Sequence, residues 1–145
     1  MASVIIPDAN LLLYAYNLVS PQHTVARNWL ESVLSGNEVV LFPWLVLSAF
    51  LRVSTSPHAF REPLSMEFAI ETVNAWMGQR NAIAALPSDK HWLVFSKLLR
   101  EGNVRGAMTT DAEIAAYAVE HGATLYTCDR GFARFPDLKV INPLD

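Results

Sequence analysis

The stretch SVIIPDANLLLYAY, residues 3–16, decides how the chain folds. Residues 3–6 are a short β-branched run that reads as a strand. Pro7-Asp8 interrupts it, and residues 10–16 are then apolar enough for a buried helix. Strand, acidic turn and helix make the first unit of an α/β domain, and similar units follow. Residues 23–34 carry Val25, Ala26, Trp29, Leu30, Val33 and Leu34 at spacings of three and four, with Gly36 past the end, which predicts an amphipathic helix. Residues 39–42 read as a second strand. Pro43 starts a helix through Phe50 and Arg52, because the first helical turn does not need the N–H that proline lacks. Residues 65–77 are helical by pattern, 83–86 strand-like, and 88–99 helical, with Gly102 as terminator. A helix over 112–120 stops at Gly122, and strands follow over 124–127 and 138–141. Residues 55–63, with two prolines, read as a loop and the place to look for mobility. This alternation predicts a mainly parallel sheet with helices on both faces.

Composition limits the alternatives. At 145 residues the chain has the size of one domain, residues 1–145, around one core. Hydrophobic residues make up 52% against 17% charged, which excludes a disordered chain. No apolar run is long enough to span a membrane, and Val4-Ile5-Ile6 lacks the basic flank of a signal peptide, so a cytoplasmic location is expected. The single cysteine, Cys128, has no internal partner and is compatible with a reducing compartment. A net charge of −3 and a pI near 5.8 argue against a broadly basic nucleic-acid grip, so any such affinity must be local or carried by bound cations.

In open parallel sheets, ligands bind beyond the carboxyl ends of the strands. Asp8 follows the first strand and Asp129 the strand over 124–127, so both face one rim; Asp111, just before a helix, is expected on the same rim. Three carboxylates drawn together oppose folding unless something neutralises them. A hard divalent cation does so, and oxygen donors favour Mg²⁺ or Mn²⁺ over zinc. Each acid also has a plainer role. Asp8 suits a helix N-cap. Thr110-Asp111-Ala112-Glu113 fits a capping box with Thr110 as cap, and Asp129 before Arg130-Gly131 is a normal turn residue.

The patterns PDANLLLYAY at 7–16, WLVLSAFLRVST at 44–55 and TTDAEIAAYAVEHGATLYTCDRGFARFPDL at 109–138 resemble the PIN-domain ribonuclease toxins of the VapC type, over nearly the whole chain. The resemblance implies a three-layer α/β/α fold, Mg²⁺ or Mn²⁺ at the acidic site and endonuclease action on RNA. It also implies homodimerisation and inhibition by a cognate VapB-like antitoxin. Asp8, Asp111 and Asp129 fall on the family's acidic positions as catalytic and metal-holding residues. One position departs: many PIN domains carry a glutamate on the helix after the second strand, where this chain has Leu47-Ser48-Ala49-Phe50. Glu113 is a candidate fourth carboxylate, although residues two apart on a helix do not share a face, and substrate phosphate is the rival replacement.

Guanidinium groups suit phosphate, which makes Arg52 and Arg130 the substrate-binding candidates, while Arg134 reads as surface. Asn10 and Thr110 are candidates for hydrogen bonds that orient the ligands. The four histidines lack metal-ligand spacing, and His121 is expected to act at a helix C-terminus. Cys128 reads as an unreactive strand-end residue, and Trp29, Trp44, Trp76 and Trp92 as core or interface. Two other readings compete with a metal-dependent endoribonuclease toxin. One is a decayed PIN-fold module that binds RNA or an antitoxin. The other is a phosphotransfer receiver, disfavoured because no lysine stands at a late strand end.

Overall fold

The computed structural model describes residues 3–145. Strand β1 (Val4–Pro7) leads into α1 (Ala9–Tyr16) and α2 (His23–Leu34), and β2 (Val39–Pro43) into α3 (Trp44–Ser54) and α4 (Met66–Met77). Then come β3 (Ala82–Ala85), α5 (His91–Glu101), a 3₁₀ turn (Gly106–Met108) running into α6 (Thr109–Glu120), β4 (Thr124–Tyr126), a second 3₁₀ turn (Arg130–Arg134) and β5 (Val140–Ile141). Every expected element is present. Two helix starts shift by three residues: α5 begins at His91 rather than 88, and α6 begins at Thr109 rather than 112 because the 3₁₀ turn feeds it without a break.

The sheet has the order β3-β2-β1-β4-β5, all pairs parallel, with Ile5 in register between Val40 and Thr124. The chain steps outward from β1 to β3, then crosses back to the other side of β1 at β4. Right-handed crossovers therefore put α1–α4 on one face and α5–α6 on the other, giving a three-layer α/β/α architecture. Because β1 and β4 are neighbours that send their following segments to opposite faces, the space above their carboxyl ends is the sheet's switch point.

Burial on both faces explains the continuous apolar strands: Ile5, Ile6, Val40, Phe42 and Leu125 are all buried. On the α1–α4 side, Trp76 stacks on Phe42 at 5.8 Å and meets Tyr16 edge-on at 5.6 Å. Ser65 caps α4 by accepting the Phe68 N–H at 3.1 Å. On the other side, buried Ala112, Ala115, Ala116 and Ala118 let α6 lie close to the sheet. The 55–63 loop is anchored by Phe60, which is buried. Of the four tryptophans, Trp76 is core and Trp29 stacks on Tyr126 at 5.2 Å, whereas Trp44 and Trp92 stand exposed.

Gly102 is required for space rather than for its dihedral freedom. A Cβ there would stand 2.6 Å from Phe135 Cε1 and 3.0 Å from the Leu98 carbonyl. Phe135 is itself buried and has no free direction to move. Gly102→Ala is expected to cost about 1–3 kcal/mol, read as a lower urea midpoint; an unchanged midpoint would mean that the ring yields.

Candidate active site

Asp8 ends β1 and caps α1. Its Oδ1 accepts the Ala9 N–H at 2.8 Å, and its Oδ2 accepts the Thr127 hydroxyl at 2.7 Å. Its own N–H donates to the Tyr126 carbonyl at 2.9 Å, which fixes it against the end of β4. Burial is the largest influence on its carboxyl and pushes the pKa up. The two hydrogen bonds oppose that rise, and the Asp129 charge adds to it.

Thr127 is the site residue that sequence reasoning missed. Besides donating to Asp8, its Oγ1 accepts the Asn10 side-chain N–H at 3.3 Å and the Asp129 backbone N–H at 3.0 Å. One buried hydroxyl thus ties β1, α1 and the turn after β4 together. In sequence Thr127 reads as one more β-branched strand residue, and only the position of the two flanking acids hints otherwise. Asn10 is brought to the site as expected, and its Oδ1 is buried without a hydrogen-bond partner.

Asp129 accepts the Gly131 N–H at 2.8 Å through Oδ1, so the turn reading and membership of the site hold together. Asp111 sits in the first turn of α6, half-buried. Its carboxyl is pushed up to about 6, first by burial and then by the charges of Asp129 and Asp8, with Arg134 pulling the other way. Asp111 therefore lies within reach of both other charges.

The capping box does not form. Met108 occupies the N-cap position without a side-chain bond, Thr110 lies exposed inside the helix, and Asp111 is freed from that role. Glu113 acts on Tyr117, one turn along its own helix, and is not among the charges that raise Asp111. Arg52 is exposed in the last turn of α3, and Arg130 is exposed beside Asp129; neither is among the charges acting on Asp8 or Asp111. His121 bonds the Leu86 carbonyl at 2.8 Å rather than the end of its own helix. Burial pushes the Cys128 thiol up, with Asp145 and Asp8 adding to the effect, in keeping with an unreactive residue.

The donors gathered here are oxygens: three carboxylates and the orphaned amide oxygen of Asn10. That set fits a hard divalent cation and offers nothing to a soft one. Among the described residues, no three acidic, histidine or cysteine side chains close on a single point as a bare ion cage would require. A cation here would keep water in its shell, as Mg²⁺ commonly does.

A three-layer α/β/α domain with three aspartates gathered at its switch point is the class that fold and site define. The chain belongs to the PIN-domain family, whose model matches residues 5–138, and to its VapC branch. Ribonuclease VapC43 of Mycobacterium tuberculosis is 37% identical over 138 residues, covering 95% of this chain and 94% of the relative. Ribonuclease VapC33 of the same organism is 36% identical over 141 residues, covering 97% and 99%. Among solved structures, VapBC2 from Rickettsia felis, bound to a DNA fragment from its promoter, superposes with a TM-score of 0.68 at 23% identity, covering 96% of this chain and 98% of that one. Mycobacterium tuberculosis VapC20, a sarcin-ricin loop cleaving toxin, gives 0.63 at 17% identity, covering 89% and 92%. Both confirm the fold.

Proposed function

We propose that the chain is an endoribonuclease toxin of the VapC type, hydrolysing RNA at the Asp8, Asp111 and Asp129 site and restrained by a VapB-like antitoxin. The observation that carries this reading is the gathering of Asp8, Asp111 and Asp129 at the switch point, where Thr127 bonds both Asp8 and the Asp129 backbone, in a chain whose curated relatives are ribonucleases. Nucleases of this family work with a divalent metal, and the hard oxygen donors favour Mg²⁺ or Mn²⁺ here. Asp8, Asp111 and Asp129 would hold it, with the Asn10 amide oxygen as a further acceptor. When bound, such an ion supplies an activated water and offsets charge on the phosphate.

The chain's own residues supply orientation. The Ala9 N–H and the Thr127 hydroxyl fix the Asp8 carboxylate, and the Gly131 N–H holds one oxygen of Asp129 while its Oδ2 stays available. Arg130, exposed beside Asp129, would meet RNA phosphate in this reading, its exposure and charge supporting the role. Water attacks the phosphorus in line, the P–O3′ bond breaks, and the proton from water ends on the departing 3′ oxygen, leaving a 5′ phosphate. The partners that fit are RNA, the antitoxin and a second copy of the chain. Leu86, Trp92 and Leu93, exposed at 66, 69 and 67%, supply apolar surface for protein contact. No helix among the described residues is long and apolar enough to cross a membrane, and the cytoplasm is where RNA and antitoxin would be met.

The test combines cleavage with stability. Purified chain should cut structured RNA in Mg²⁺ or Mn²⁺ and stop on chelation; no cleavage with either ion would sink the reading. The raised carboxyls give a second readout with a definite sign. Between about pH 4 and about pH 6 the folded state holds protons that the unfolded state has released, so folding stability falls as pH rises through that window. Asp111→Asn removes its share of the fall, and Mn²⁺, which binds the ionised form, should raise the wild-type melting temperature more at about pH 7.5 than at about pH 5.

A further inference from the structure

Arg134 was expected to be an ordinary surface residue, yet its guanidinium is held on several sides. Nε donates to the Gly131 carbonyl at 3.1 Å, and Nη1 points to the Gly102 carbonyl at 3.5 Å and to Met108 Sδ at 3.0 Å. These partners belong to three segments: the turn after β4, the end of α5 and the 3₁₀ turn before α6. The side chain laces together the two loops that carry Asp129 and Asp111. Nη2 makes no hydrogen bond to the described residues. The group is exposed, and it is the cation that acts on Asp111.

We propose that Arg134 positions the RNA phosphate at the acidic site, its tethered guanidinium offering the unused Nη2 to a non-bridging phosphate oxygen. The proposal rests on the endoribonuclease reading of the same site. The chemistry is specific to arginine. A planar guanidinium can satisfy protein acceptors through Nε and Nη1 and still present the N–H donors of Nη2, whereas a lysine ammonium is a single point on a flexible stem. Because the carbonyls and sulfur fix the side chain beforehand, little rotamer freedom is lost when phosphate arrives. A fixed cation also answers an electrostatic need: three aspartates would otherwise repel the approaching phosphodiester. Nearby Arg130 carries no such tether among the described residues, and Arg52 stands on another element.

The experiment measures binding apart from cleavage. A fluorescent RNA oligonucleotide is titrated with the Asp8→Asn chain in Mg²⁺ at several salt concentrations, with and without Arg134→Ala, Arg134→Lys or, as a control, a change of Arg80, exposed before the amino end of β3, to Ala. Loss of one charge-assisted phosphate contact should weaken binding about ten-fold. It should also reduce the salt slope by roughly 0.7, the single-strand value for one phosphate. Lysine should recover the salt slope but little of the cleavage rate when placed in the chain with Asp8 intact, and Arg80→Ala should leave the slope unchanged. A role confined to holding the loops predicts a lower melting temperature with an unchanged slope, and that result overturns the proposal. Arg80→Ala equalling Arg134→Ala in the slope also overturns it. Wild-type chain that binds RNA with the Arg134 dependence but never cleaves it would defeat the nuclease reading alone.

Discussion

Asp8→Asn is expected to lower RNA cleavage by roughly 10²- to 10³-fold, the range seen when one group that stabilises developing charge is removed, while leaving the fold at least as stable. The two halves of that expectation come from one observation. Burial outweighs the Ala9 and Thr127 hydrogen bonds at this carboxyl, so its ionised form works against folding. Asparagine keeps the shape and removes the buried charge. It loses one of the two accepted hydrogen bonds, because its amide nitrogen cannot accept from Thr127, but burial is the larger influence. Cleavage assays and thermal melts at about pH 7.5 on the same preparation check both halves. Undiminished cleavage removes Asp8 from the chemistry; a large fall in the melting temperature would mean that the lost activity reflects unfolding.

The second large effect lies at Thr127. Valine has nearly the same shape but no hydroxyl, so Thr127→Val would leave Asp8 Oδ2, the Asn10 amide N–H and the Asp129 backbone N–H each without its present partner. Unsatisfied buried groups cost about 1–3 kcal/mol apiece, and some of these three can turn toward water, which suggests a total of about 2–4 kcal/mol. In a chain of this size that corresponds to a melting temperature lower by roughly 5–15 °C. Cleavage should fall further than stability, since Asp8 and Asp129 both lose their orientation. Thr127→Ser keeps the hydroxyl and should restore most of both properties. A valine variant that matched wild type in melting and cleavage would show that the hub is dispensable.

Much of this was legible in the sequence because the governing signals are local. Apolar runs ending at Asp8 and near Asp129 identify strands that stop at acids, and the parallel order then puts those acids on one rim. The alanine-rich pattern of α6 gave the helix but not its start. No local rule announced that the Gly106–Met108 turn would continue directly into Thr109 and displace Thr110 from the cap. Thr127 and Arg134 were missed for a different reason. Their roles are long-range, toward residues more than a hundred positions away in one case and toward Gly102 and Met108 in the other. Side-chain type alone favours strand for the first and surface for the second. Glu113 stands two positions past Asp111 on α6, and its charge acts on Tyr117 one turn along.

The Asp8–Thr127 hydrogen bond spans 119 positions of the chain, and the Asp8 backbone donates to Tyr126 across nearly as many. During synthesis, β1 and the helices after it emerge long before β4, and the space beside β1 stays open until that strand arrives. Asp8 and Asp129 therefore first meet after almost the entire polypeptide has left the ribosome. Until then the nascent chain lacks the paired carboxylates, and the site matures only when synthesis is nearly complete.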